Sequence, residues 1–507
     1  MPIPRMIGNF GVHRIVGRAN PVKSCMLVMV VELLVSIIFE LVLLRRLLLQ
    51  MDLNKDLLKE KGQLVLKEAE KLGATQVEVS VRMSQTALTR LANSIVDQNV
   101  AENHARVRTI VYLGKRKGST SVEIFDDDSI KQAVADAIKI AKISPENKDF
   151  KSLPEPKPMK PIPVEEQISK NTLDATPEKR AEFATVAIDN AHAVDKRIKA
   201  VAGAISHGFA EEIILNSLGV EAYDLGTFSN VNLTVLADDG SEESAGWYAD
   251  NNKDFTKLNI QKVSEIAAKK AADGFGMKYI DPGNYEVILE PAAVGGFMFF
   301  MSYFGFSAMM YQDYISFLRD KIGEKLFSEK LNLWDDAFDK RNIYRGFFDD
   351  EGHPKTKLDM IKAGVVKNLA YDTMTADKDG VKSTGHNAKF RGRSMPYPGN
   401  LLIGEGNSNL DEMIAETKKG ILVTHFHYQN AVNPTKGIFT GLTRDGAWLV
   451  ENGEIKCPLR TLRYTDSCLR FLAEIDLVGK YPEINSTFAR VPAIKLPSFT
   501  ITGSQKE

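Results

Sequence analysis

Gly420 to Tyr428, GILVTHFHY, alternates as a strand does, and that alternation puts His425 and His427 on one face. Two imidazoles at i and i+2 can share a metal ion or line a polar groove, and no third ligand is evident beside them. Ser383 to Arg393, STGHNAKFRGR, is glycine-rich, polar and basic. Loops of that composition carry binding groups more often than packing groups, so His386, Arg391 and Arg393 are candidate ligand contacts. Carboxylates cluster at Asp335-Asp336 and at Asp349-Asp350-Glu351, but the spacing misses the D-x-D-x-D-G pattern of a calcium loop and reads as turns. His104, His192 and His207 each stand alone. None of the three cysteines, Cys25, Cys457 and Cys468, has a C-x-x-C partner. That argues against a cysteine zinc cluster and fits a reducing compartment.

These groups must be positioned by a framework, and its centre is Tyr285 to Ser307. Tyr285 to Leu289 is an apolar, β-rich run set up by Asp281-Pro282-Gly283 and ended by Glu290-Pro291, which predicts a buried strand. Ala292 to Phe306 carries no charge, a glycine pair, five phenylalanines, a tyrosine and two methionines. It predicts a helix buried on all sides, too short to span a bilayer. Flanking elements follow from pattern. Asp52 to Leu72, Ser129 to Ile143, Ile260 to Ala272 and the segment after Thr176-Pro177 read as helices. Ser316 to Phe327 reads as a basic amphipathic helix. Gln76 to Arg82, Asn93 to Val96, Ile198 to Ser206, Glu211 to Asn216, Val220 to Tyr223 and Asn230 to Ala237 read as short strands. Asn452-Gly453 marks a hairpin.

The strand, the proline, the small-residue step and the apolar helix resemble the TldD/PmbA family. So do the Asn216-Ser217-Leu218-Gly219 turn and the Trp448 to Ile455 hairpin, which is similar to the family's I-E-N-G-x-I motif. In the metallopeptidase branch the same helix carries H-E-x-x-x-H, whose histidines hold zinc and whose glutamate activates water. Counted from Pro291, those positions are Phe299, Phe300 and Phe304. The chain therefore resembles the PmbA-like (TldE) branch. The resemblance runs in order from Met51 to Ile501. It implies an α+β fold of two lobes, an N-terminal α/β lobe and a C-terminal strand-rich lobe with a buried central helix. It further implies a closed chamber for unfolded peptides, assembled with a TldD-like subunit or with a second copy. No catalytic residue and no cofactor is expected of this chain; zinc is expected in the partner. His386, Arg391, Arg393, His425 and His427 are the expected substrate contacts, and the cytoplasm the expected location.

Domain limits read as 51–144 for the first part of the first lobe, 145–167 for a proline-rich connector, 168–278 for its second part and 279–501 for the C-terminal lobe. Residues 1–50 differ in kind. Met26 to Leu44 is aliphatic but interrupted by Glu32 and Glu40, which costs several kcal/mol for insertion into a bilayer. They read as an upstream extension or, alternatively, a membrane anchor. The 507 residues, 44% hydrophobic and 26% charged, have ordinary globular composition. A net charge of -1 with short, scattered basic runs argues against a nucleic-acid partner. Two alternatives stand beside the silent-partner reading: a metallopeptidase in its own right with a relocated His425, His427 and His386 site, and a membrane-anchored peptide-binding protein.

Overall fold

Alternation along Gln76–Ala92 (β1) buries Val77, Val79 and Val81 on one face, and the helices Lys55–Lys71 (α1) and Asp127–Ile143 (α2) pack on that face. In this computed structural model the described residues are 54–160, 162–343, 346–390, 393–484 and 489–504. The anchor reading of residues 1–50 lies outside them. Among the described residues no helix is long and apolar enough to cross a membrane.

The first sheet is antiparallel, in the order β3-β2-β1-β4-β5-β6, with β2 Ile95–Leu113, β3 Arg116–Val122, β4 Ile198–Asn216, β5 Glu221–Asp238 and β6 Glu243–Asn252. Its strands are longer than the sequence suggests. Asn93 and Ser94, read as the start of a strand, form a two-residue left-handed turn (φ 50° and 59°) joining β1 to β2. The break read at Ser206 to Ala210 is continuous strand. Gly208 sits there because an added Cβ would lie 2.1 Å from the Gln85 carbonyl oxygen on β1. Pro177–Val194 (α3), capped by the Thr176 hydroxyl as expected, and Ile260–Ala272 (α4) cover the other half of the sheet.

The second half is built on Gly283–Leu289 (β7), Lys419–Asn433 (β14), Ile438–Glu451 (β15), Leu462–Ser467 (β17) and Ile494–Ser504 (β19). β14 pairs with both β7 and β15, so these five strands close a ring in the order β14-β7-β19-β17-β15, with only β7 and β14 parallel. Closure removes sheet edges. Glu454–Pro458 (β16) and Leu477–Val478 (β18) hang from the ring. A four-stranded sheet of Leu333–Asp335 (β8), Leu358–Lys362 (β9), Val365–Val366 (β10) and Leu401–Ile403 (β13), and a hairpin of Asn387–Phe390 (β11) and Arg393–Pro396 (β12), complete the lobe. The architecture is α+β, as the sequence predicts.

Ser316 to Phe327 is not a helix. Tyr314, Asp320 and Gly323 have positive φ, and the amides of Gly323, Leu326 and Phe327 donate to carbonyls of the β9–β10 hairpin and its turn instead of to the preceding helical turn. Phe317, Leu318 and Phe327 then enter the barrel core. The apolar spacing was real, but it serves docking rather than helical period.

Candidate functional site

Pro291 at the first helical position, with no N–H to leave unpaired, starts Pro291–Phe300 (α5) straight after the buried β7. The helix lies across β14, and Gly296 is the point of closest approach: a Cβ there would meet the Gln429 side-chain oxygen at 2.4 Å. Gln429 in turn donates to the Tyr464 hydroxyl at 2.8 Å. At Met301–Gly305 the helix widens into a single π turn, closed by the Phe306 amide donating to the Met301 carbonyl at 3.0 Å.

The phenylalanines divide between two faces. Phe297 points into the ring of strands, its centroid 5.2 Å from Phe426, 5.5 Å from Tyr464 and 4.9 Å from Phe471. Phe300 is buried against Phe439 at 5.0 Å. Phe299, Tyr303 and Phe304 are only half-buried. Phe299 lies 6.2 Å from both Tyr303 and Tyr397, and Tyr303 lies 4.8 Å from Phe304. The helix is thus not buried on all sides; it presents an aromatic wall on one face, which a uniform apolar run does not reveal. Zinc does not fit these positions, since a phenyl ring has no lone pair to coordinate and no proton to exchange. Among the described residues, no group of three or more His, Cys, Asp or Glu side chains is placed to hold a metal.

The structure brings His425 and His427 into one polar cluster, although β14 bulges on both sides of them. His427 Nε2 is 2.9 Å from Arg444 Nη1, His425 Nε2 is 3.5 Å from Asp445 Oδ2, and Arg444 Nε is 3.4 Å from the same oxygen. The His425 ring packs on Trp247 of the first sheet at 4.5 Å. Nothing in the local sequence marks Asp445 as a partner of His425. It is a left-handed bulge residue (φ 51°) within continuous β15, and the bulge is what brings its carboxylate to the histidine.

Burial, reinforced by Lys270, Arg444 and His427, lowers the His425 pKa from 6.5 to about 3. The folded chain keeps this imidazole neutral while the unfolded chain protonates it. Its contribution is complete above pH 6.5 and declines as pH falls from there to about 3. His425→Gln is expected to flatten the fall of the urea midpoint over that window by one proton's worth, about 1.4 kcal/mol per pH unit. Parallel curves for the two proteins would contradict a buried neutral ring.

His386 does not reach a surface. Its side chain is fully buried, with Nε2 3.2 Å from Asp335 Oδ1 and Nδ1 2.9 Å from the Thr384 hydroxyl. The loop composition predicts binding groups, but Ser383, Thr384, His386 and Asn387 spend their side chains on internal hydrogen bonds. Arg393 is exposed on β12, and Arg391 lies outside the described residues. The carboxylates near 350 do build turns: Asp349 accepts from the amides of Glu351, His353 and Asn387. Cys468 is a free, buried thiol whose pKa is pushed up by burial.

A six-stranded sheet under paired helices, joined to a closed strand ring crossed by an apolar helix, defines the α+β class of this protein. Family models agree in sequence order: residues 77–141 match PmbA/TldA metallopeptidase domain 1, 170–274 the central domain and 282–503 the C-terminal domain. The chain belongs to the PmbA/TldD family, and no H-E-x-x-x-H occurs in its sequence. The chain is 29% identical over 272 residues to the uncharacterized protein MJ0231 of Methanocaldococcus jannaschii, covering 52% of this chain and 61% of that one. It is 26% identical over 384 residues to the metalloprotease MJ0996 of the same organism, covering 73% and 81%. The crystal structure of TldE from Thermococcus kodakarensis shares the fold, with a TM-score of 0.80 at 23% identity over 87% of this chain and 100% of that one.

Proposed function

We propose that this chain is the non-catalytic half of a zinc-dependent peptidase. In this reading it lines a chamber and holds unfolded peptide, and a TldD-like subunit supplies the metal and the water-activating carboxylate. The observation that carries the reading is the trio of Phe299, Phe300 and Phe304 where the active branch has H-E-x-x-x-H. Phe299, Tyr303, Phe304 and Tyr397 supply partly exposed rings against which apolar side chains of an extended peptide pack. His427 and Arg444, which meet at 2.9 Å, and the exposed Arg393 are the polar side chains this reading assigns to peptide contact. The cytoplasm suits a chain whose cysteines have no disulfide spacing. The relocated-histidine alternative gains no support from the cluster, since His425 is pinned against Trp247 and Asp445.

The test is purification with and without a TldD-like subunit from the same genome. The chain alone is expected to carry no stoichiometric zinc and to leave an unfolded peptide uncut. The pair is expected to co-elute and to cleave it. Zinc-dependent turnover by this chain alone, abolished by His425→Ala, would reverse the assignment.

A further inference from the structure

A cavity of about 800 Å³ opens at the opposite end of α5 from the phenylalanine positions. α4, β6, the start of α5, β15 and β16 contribute to its walls, together with the short helix Leu410–Ala415 (α6). Its size and largely aromatic and aliphatic lining are those of a small-molecule site. At its floor Lys270 Nζ lies 2.6 Å from Glu290 Oε2, both side chains nearly buried.

Each member of this pair is short of partners. An ammonium has three donors, and among the described residues Glu290 is the acceptor within reach of Lys270. The ammonium also faces the rings of Tyr248 and Trp448, with centroids at 5.4 and 6.0 Å, and lies within electrostatic reach of His425 and Asp445, neither of which is hydrogen-bonded to it. Glu290 is the residue that precedes α5, yet its carboxylate caps no helix amide, and among the described residues its second oxygen has only the Thr424 hydroxyl, at 3.4 Å. A buried ion pair normally completes its hydrogen bonds. This one leaves donors and acceptors over where a cavity meets it.

We infer that the cavity binds a free α-amino acid with an apolar or aromatic side chain. The α-carboxylate accepts from Lys270, the α-ammonium donates to Glu290, and the side chain enters the space between Tyr248, Phe275 and Trp448. Charge and geometry select this head group together. A zwitterion adds no net charge to a nearly buried pair, whereas a lone carboxylate or a lone amine leaves one charge uncompensated. The two protein charges touch, which matches an ammonium and a carboxylate carried on one carbon. A dipeptide separates its ends by a whole residue and cannot meet both. The site does not rest on the silent-partner reading, since all of its residues are in this chain and none is at the phenylalanine positions.

The test is calorimetric titration of the full chain with L-phenylalanine and L-leucine, beside N-acetyl-phenylalanine, phenylalaninamide and phenylalanyl-glycine. Saturable one-to-one binding of the free amino acids is expected, with at least tenfold weaker binding of the three analogues. Lys270→Met and Glu290→Gln are expected to abolish it while circular dichroism is unchanged. Should either variant misfold, Ile455→Arg, at an exposed position on the rim, is expected to give the same loss. Equal binding of the blocked analogues would reduce the site to a generic apolar cleft, and no binding of either amino acid at tens of millimolar would overturn it.

Discussion

Phe297→Ala is expected to lower stability by about 3–5 kcal/mol, whereas Phe299→Ala, two residues along the same helix, costs about 1 kcal/mol. Phe297 is 2% exposed and is the one ring of α5 that touches Phe426, Tyr464, Phe471 and Phe499 together. Removing it opens a void inside a closed ring of strands, whose walls cannot collapse without breaking pairing on both sides of β14. Phe299 has protein on one side and the open face on the other, so truncation there removes contacts without leaving an enclosed void. Urea midpoints of the two variants measure the difference. Equal losses would mean that Phe299 is core, and the aromatic wall would lose its claim to bind peptide.

That contrast marks the limit of what periodicity records. Composition identifies a buried helix after a buried strand, and the Asn452-Gly453 turn, with both residues at positive φ, is legible because its cause lies within two residues. Which face of α5 stays open depends on where Gln429 of β14 crosses Gly296, and no window around residue 296 contains that strand. Ser316 to Phe327 failed for the same reason, its amides being claimed by a hairpin beyond any local pattern. His386 misled in the other direction. A polar, glycine-rich loop is normally solvated, but Asp335 draws this histidine inward and, although burial works against ionisation, the imidazole beside it holds the Asp335 carboxyl below its usual range.

The pair least accessible to sequence carries the other large effect. Lys389 Nζ on β11 lies 2.5 Å from Glu78 Oε1 on β1 and 2.6 Å from the Asp350 carbonyl, and the two charged side chains are 7% and 5% exposed. The partners are 311 residues apart, so the contact ties the first sheet to the hairpin of the second lobe. Burial alone would lower the lysine's pKa, but Glu78 and Asp350 outweigh it and hold the ammonium charged. Lys389→Met is expected to cost about 3–5 kcal/mol, because it strands a buried carboxylate rather than because the pair itself is worth that much. The double variant Glu78→Gln/Lys389→Met separates the two accounts. Once the carboxylate is neutral, the methionine fills the lysine's volume at little cost and most of the loss returns, as read from thermal midpoints. A double variant no more stable than Lys389→Met would instead place the energy in the hydrogen bond to Asp350, with the lobes held together by the hairpin backbone.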